Sequence, residues 1–122
     1  MSERNAIVVE DQDDLAQLYQ AALVDAGFSV TISQRGDLGL EQIRAIRPSL
    51  VVLDIHLPGI MGTKILQEIR SDENLEDTKV IMLSADDRRA EDVRDLANLV
   101  LLKPVTYSQL KDLARRIVPD EK

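Results

Sequence analysis

Five polar side chains close four short apolar runs, and their types can do chemistry together. Glu10 and Asp11 follow Ala6–Val9, Asp54 follows Leu50–Leu53, Ser84 follows Val80–Leu83, and Lys103 follows Leu99–Leu102. Three carboxylates brought into one cleft repel one another, and their joint ionisation is opposed unless a cation joins them. All-oxygen ligands suit a hard ion, so a partly hydrated Mg²⁺ is the natural occupant, with Mn²⁺ as the alternative. Such an ion keeps open positions that phosphate oxygens commonly fill. Lys103 adds a point charge suited to phosphate or carboxylate, and the Ser84 hydroxyl can donate to an oxyanion. Aspartate, metal, lysine and hydroxyl together suit phosphoryl transfer onto a carboxylate. The protein then has only to hold the acceptor in line and neutralise charge on the equatorial oxygens.

Composition narrows the alternatives. With 122 residues and 44% apolar side chains, the chain can close one real core, and a single domain over residues 1–122 is expected. It has no Cys, which excludes disulfides, thiolate nucleophiles and Cys-based metal centres, and its one His excludes a multi-histidine cluster. Acidic residues outnumber basic ones by 22 to 15, giving a net charge of −7 that disfavours nucleic acid and anionic membranes as partners. Aromatics, at 2%, are too few to make stacking platforms for single-stranded nucleic acid. Neither a secretory signal nor an apolar run of membrane-spanning length is present, so a cytoplasmic location is expected.

The elements that must position the five residues alternate. The runs Ala6–Val9, Phe28–Ile32, Leu50–Leu53, Val80–Leu83 and Leu99–Leu102 are rich in Val, Ile and Leu, as expected of strands buried on both faces of a parallel sheet. Helical spacing separates them. Leu15, Leu18, Tyr19, Ala22, Leu23 and Ala26 form one stripe, stopped by Gly27. Leu40, Ile43 and Ile46 form a second before Pro48, and Ile65, Leu66 and Ile69 a third after the Pro58-Gly59 turn. A fourth helix, roughly 87–98, is poorly amphipathic, because the stretch Asp86–Asp95 carries eight charges in ten positions and reads as a solvated face. The last begins with the capping-box pattern Thr106-Tyr-Ser-Gln109 and continues through Leu110, Leu113, Ala114 and Ile117, leaving Pro119–Lys122 as a frayed end. Five βα units predict a flavodoxin-like, doubly wound α/β fold with a five-stranded parallel sheet of order 2-1-3-4-5. In that order the ligand crevice opens between the first and third strands, where Glu10, Asp11 and Asp54 end their runs. Asp13 and Asp14 are read instead as acidic residues of a helix start.

Four segments then match a family. Ile7-Val-Val-Glu-Asp11, Val51-Val-Leu-Asp-Ile-His-Leu-Pro-Gly59, Ile81-Met-Leu-Ser-Ala85 and Leu101-Leu-Lys-Pro104 occur in order and at near-family spacing. Over essentially its whole length the chain resembles the receiver domain of two-component response regulators. The resemblance implies Asp54 as phosphoacceptor, Asp11 as a direct metal ligand, and Glu10 assisting through water. It also implies that His56 offers its backbone carbonyl to the metal, that Ser84 and Lys103 hold phosphoryl oxygens, and that Ala85 keeps the site open. In the family the Lys103–Pro104 bond is usually cis. His56 and Asp86 stand where the family tunes the lifetime of the phosphoryl group.

Some positions depart from the family pattern. Glu10 replaces the usual Asp, and Met61 replaces the acidic residue that commonly precedes Gly62. Val100 stands where an aromatic often reorients on phosphorylation. The stretch from Ser84 to Lys103 is a few residues short and lacks the customary Gly-rich lead. The last two departures fall on the face of fourth helix, fifth strand and last helix that the family uses for output.

The implied function is acceptance of a phosphoryl group by Asp54 from a histidine kinase or phosphotransfer protein, switching a surface that binds a downstream protein. Self-catalysed loss of the phosphoryl would be the only turnover, so the chain is not expected to be an enzyme acting on a separate substrate. With no output domain in residues 1–122, the resemblance implies a stand-alone regulator, a relay intermediate or an excised receiver. The alternative is a phosphorylation-independent interaction module on the same scaffold.

Overall fold

The computed structural model describes residues 4–85, 88, 91 and 93–119. Five parallel strands form one sheet of order β2-β1-β3-β4-β5: β1 Asn5–Val9, β2 Ser29–Ser33, β3 Leu50–Asp54, β4 Lys79–Ser84 and β5 Leu99–Leu102. This is the doubly wound, flavodoxin-like arrangement expected from the sequence. The described residues carry four α-helices, α1 Asp13–Asp25, α2 Gly36–Ile46, α3 Gly62–Arg70 and α4 Tyr107–Ile117, with a 3₁₀ turn over Glu73–Leu75 that the apolar pattern does not signal.

Period-two alternation explains how the apolar runs fill two layers. Ala6, Val8, Leu50, Val52, Ile81 and Leu83 point to the face covered by α1 and α4, where they meet Tyr19, Leu23, Leu110 and Ala114. Ile7, Val9, Val51, Leu53, Val80 and Met82 point to the opposite face, against Ile43 of α2 and Ile65, Leu66 and Ile69 of α3. Every residue of β3 is buried, as a central strand with helices on both faces requires. Full burial of one such Val, Leu or Ile side chain contributes roughly 1.5–3 kcal/mol.

Boundaries differ from the sequence expectation in understandable ways. The second strand begins one residue late, because Phe28 packs into the core from the turn that follows Gly27. Gly27 adopts φ +104, a conformation open to glycine, and so ends the α1 turn as its sequence position suggested. The second helix stops at Ile46 with Arg47 in the left-handed region at φ 52, two residues before Pro48. Thr106 caps α4 as its pattern predicts, its Oγ1 accepting from the Gln109 N–H at 3.1 Å. Much of the expected fourth helix falls outside the described residues, namely 86, 87, 89, 90 and 92, as do 120–122 of the expected frayed end. From Val93 onward the β4–β5 connection is a turn, in which the Leu96 N–H donates to Val93 O at 2.9 Å and Val93 is buried beneath it.

Candidate functional site

The site is assembled by strand register. Val9 lies beside Leu53 in the β1–β3 pair, so the residues that follow, Glu10 and Asp54, emerge side by side at the carboxyl edge. Asp54 in turn pairs with Leu83, one residue before Ser84, and Ser84 pairs with Leu102, one residue before Lys103. Backbone hydrogen bonds carry the order past the strand ends: Ile55 N–H to Leu83 O at 3.1 Å, and Lys103 N–H to Ser84 O at 2.8 Å. The Lys103–Pro104 peptide is cis.

Carboxylate oxygens of Glu10, Asp11 and Asp54 all lie within 4.8 Å of one another. Glu10 and Asp54 are buried, at 1% and 4% exposure, whereas Asp11 is open to solvent. Lys103 Nζ bridges the two buried carboxylates, 3.3 Å from Glu10 Oε1 and 3.2 Å from Asp54 Oδ2. Burial pushes the Glu10 carboxyl above the usual carboxylate range and the Asp54 charge adds to this. The Gln12 N–H, 3.2 Å from Glu10 Oε2, and the Lys103 ammonium pull the other way without cancelling it. At Lys103 burial opposes the charge, but the Asp54 and Glu10 carboxylates outweigh it and hold the ammonium above the ordinary lysine value. One cation therefore compensates a buried pair of anions incompletely. The cluster fits a divalent cation on this ground: three oxygens within reach of each other, one of them facing water, with charge left over.

Of the residues singled out from sequence, the fold thus brings Glu10, Asp11, Asp54 and Lys103 together. Ser84 lies on the neighbouring strand end with its side chain buried. His56, two residues past Asp54, turns an exposed side chain outward, and its imidazole is no member of the acidic cluster. Two glycines allow the backbone to close around the site. A Cβ on Gly62 would lie 2.1 Å from Asp54 O and 2.8 Å from Ile55 Cα, so only glycine lets α3 start against the back of Asp54. A Cβ on Gly36 would lie 2.1 Å from Ile60 O, where the loop after β3 crosses the start of α2.

Tyr19 was legible only as part of a helix stripe. It is 1% exposed, and burial raises the pKa of its phenol, on which the charges of Lys103, Glu10 and Asp54 also act. Side chains of a helix lean toward its N-terminus, which carries this ring from α1 toward the acidic site. Nothing in the spacing distinguishes such a tyrosine from a purely apolar core residue. A cavity of about 690 Å³ lies elsewhere, between β2 and α2, lined by Ile32, Arg35, Leu38 and Gln42 among others. It gathers none of the five strand-end residues, and at the acidic site itself Asp11 is the carboxylate that faces solvent.

Comparison with known proteins agrees with this geometry. The family model "Response regulator receiver domain" matches residues 6–115. The chain belongs to that family. Among curated relatives, this receiver is 34% identical over 113 residues to the uncharacterized transcriptional regulatory protein YkoG of Bacillus subtilis, covering 90% of the receiver and 49% of the relative. The receiver chain spans about half the length, or less, of the curated relatives it matches. Among solved structures, the BeF3-activated N-terminal receiver domain of Klebsiella pneumoniae RstA superposes with a TM-score of 0.83 at 25% identity, covering 96% of this chain and 100% of that one. The Mn²⁺-bound form of the response regulator Rcp1 has the same fold, with a TM-score of 0.84 at 19% identity and coverage of 98% and 97%. Receiver domains are signalling modules, and no helix among the described residues of this one is long and apolar enough to cross a membrane.

Proposed function

We propose that the chain is a Mg²⁺-dependent phosphoacceptor, taking a phosphoryl group onto Asp54 from the phosphohistidine of a histidine kinase or phosphotransfer protein. The observation that carries the reading is the buried carboxylate of Asp54, held 3.2 Å from Lys103 Nζ inside a three-carboxylate cluster. An Asp54 oxygen attacks phosphorus in line, the phosphorus–nitrogen bond breaks, and the leaving imidazole keeps that electron pair. Lys103 stays with the acceptor side and neutralises charge on a phosphoryl oxygen, while the Ser84 hydroxyl donates to another. Glu10, Asp11, Asp54 and the His56 carbonyl would hold the metal, Mg²⁺ or Mn²⁺, which supplies charge neutralisation at the phosphoryl oxygens. The Mn²⁺ ion of Rcp1 and the beryllofluoride of RstA, each on this fold, support that assignment. The change in charge at the site shifts the population of two conformers and so alters a surface for a downstream protein.

The test is incubation with a small phosphodonor, with and without Mg²⁺, read by intact mass. Wild type should gain one phosphoryl group only with the metal, and Asp54→Asn should gain none. An intact protein that accepts no phosphoryl and binds no beryllofluoride would point to the alternative, a constitutive interaction module.

A further inference from the structure

The cavity between β2 and α2 has a structural origin. β2 is the outermost strand of the sheet and is only half-buried. Gly39 lets α2 settle close over β1, since a Cβ there would lie 3.0 Å from both γ carbons of Val9. Space of about 690 Å³ is left between the helix and β2, a size that suits a small molecule. α2 turns Gly36, Gly39, Leu40 and Ile43 into the core. Leu38, Glu41, Gln42 and Ala45, spaced i, i+3, i+4 and i+7, form a second stripe that lines the cavity opposite Ile32.

The polar groups around this space are of two kinds. Those that donate are engaged. Ser33 Oγ donates to Arg35 O at 3.2 Å, and Gln34 Nε2 donates to Asp13 Oδ1. The Arg35 guanidinium lies against Asp37, with Nε 3.1 Å from Oδ1 and a terminal nitrogen 3.3 Å from Oδ2. Those that accept are not engaged. Glu41 is exposed, and among the described residues no cation lies within ion-pair distance of it. Gln42 Oε1 is buried and has no donor. A buried acceptor left unpaired costs free energy. Rotation about the last torsion of a glutamine, which has broad minima, turns that oxygen toward the cavity. Because the Arg35 and Asp37 charges answer each other, the charge left at the cavity is that of Glu41.

We propose that this cavity binds an amphipathic amine, a compact apolar body carrying one protonated amino group. The body lies on Ile32, Leu38 and Ala45, of which Leu38 is 51% exposed. The ammonium, a donor with no acceptor capacity, pairs with the Glu41 carboxylate and takes the Gln42 oxygen as its second acceptor. A carboxylate of the same shape meets like charge at Glu41 and has no proton for Gln42. The inference stands apart from the phosphoacceptor reading, because the cavity shares none of that site's residues, and each can fail alone.

Three probes of one shape test it: phenylbutylamine, phenylbutanol and phenylbutyrate, titrated into the full chain at neutral pH with saturating Mg²⁺ and read by amide NMR. The amine should shift Ile32, Leu38, Glu41 and Ala45 together and saturably, with a Kd of about 1 mM, as befits a ligand of so few atoms. The alcohol should bind about threefold and the carboxylate about tenfold more weakly, the scale of one solvent-exposed ion pair gained or reversed. Glu41→Gln should bring the amine to the level of the alcohol and leave the alcohol unchanged, whereas Leu38→Ser should weaken all three alike. Both positions are exposed, and thermal unfolding checks that both variants keep the fold. Equal binding of the three probes by wild type, or an amine that keeps its advantage in Glu41→Gln, overturns the proposal. So does the absence of saturable shifts. Shifts centred on Glu10 and Asp11 would mark a cation held by the acidic site instead. Shifts of Leu38 and Ala45 on dilution of the protein alone would give this face to a second copy of the chain, and either result overturns the proposal too.

Discussion

At the scale of single residues, the site holds two buried carboxylates against one ammonium, and that imbalance has consequences that can be measured. Lys103→Gln removes the one cation that, among the described residues, pairs with both Glu10 and Asp54. Breaking a fully buried pair costs ~3–5 kcal/mol; Lys103 keeps some contact with water, so a loss of about 2 kcal/mol is expected in urea unfolding with the metal chelated. Phosphoryl acceptance should fall with it. The raised pKa of Glu10 gives a dependence on pH of definite sign. A carboxyl whose folded pKa lies above its unfolded value favours the native state only while protonated. Its contribution is present below the ordinary glutamate value of 4.5 and is lost as pH rises through the folded pKa. In metal-free buffer, Glu10→Gln should therefore gain stability relative to wild type as pH rises through that window. A difference between the two proteins that stays flat with pH would contradict this reading of Glu10. Lys103 shows the opposite end of the scale: its ion pairs stabilise the fold at neutral pH and are lost as pH rises past its elevated pKa.

At the scale of elements, the close approach of α3 to Asp54 depends on Gly62. Gly62→Ala would drive a methyl group to 2.1 Å from the Asp54 carbonyl oxygen, so α3 or the β3 end must shift. Overpacking of that kind costs ~1–3 kcal/mol, and here it moves the acceptor itself. Chemical denaturation should register the destabilisation, and the rate of phosphorylation by a small donor should fall more than stability explains. Wild-type rates in a folded Gly62→Ala protein would show that this approach has no bearing on the chemistry. The central strands β1, β3 and β4 were legible because both faces of the sheet are covered there, which turns each into a nearly continuous apolar run that stops at a polar residue. Glu10, Asp54 and Ser84 were legible for the same reason, since a strand buried on both faces places its first polar residue at the sheet edge; Lys103 ends the half-exposed edge strand β5 and was legible because Leu99–Leu102 is still an unbroken apolar run. The cap of α4 was legible because Thr106 and Gln109 make a local contact. The turn from Val93 to Asn98 was not, because its anchor comes from elsewhere, the Arg70 guanidinium donating to Leu96 O and Asn98 Oδ1. Arg70 reads in sequence as a basic residue in the last turn of a helix, and its partners lie 8 to 28 positions away. Tyr19 was hidden by the opposite circumstance, a position whose spacing is wholly apolar.

At the scale of the whole molecule, the receiver is a sheet whose stability is strained at one edge by the groups that would perform its chemistry. Two helical layers bury the three central strands, β1, β3 and β4, almost completely, so the cost is concentrated at Glu10, Asp54 and Lys103. Two perturbations should then relieve it by different routes. Asp54→Asn removes one of two adjacent buried anions, keeps the shape of the side chain, and should stabilise the metal-free protein by about 1 kcal/mol, because it ends a like-charge repulsion. Mg²⁺ should stabilise wild type by mass action, reaching about 2.7 kcal/mol at a concentration one hundred times its Kd. The two effects draw on the same charge and cannot add. Asp54→Asn should therefore lose most of the gain from Mg²⁺, and the order of stabilities should narrow or invert between chelator and saturating metal. Urea unfolding of both proteins, in chelator and across a Mg²⁺ titration, reads this directly. Additive stabilisation by the substitution and the metal would mean that the ion binds away from Asp54, and that the carboxylate cluster is not its site.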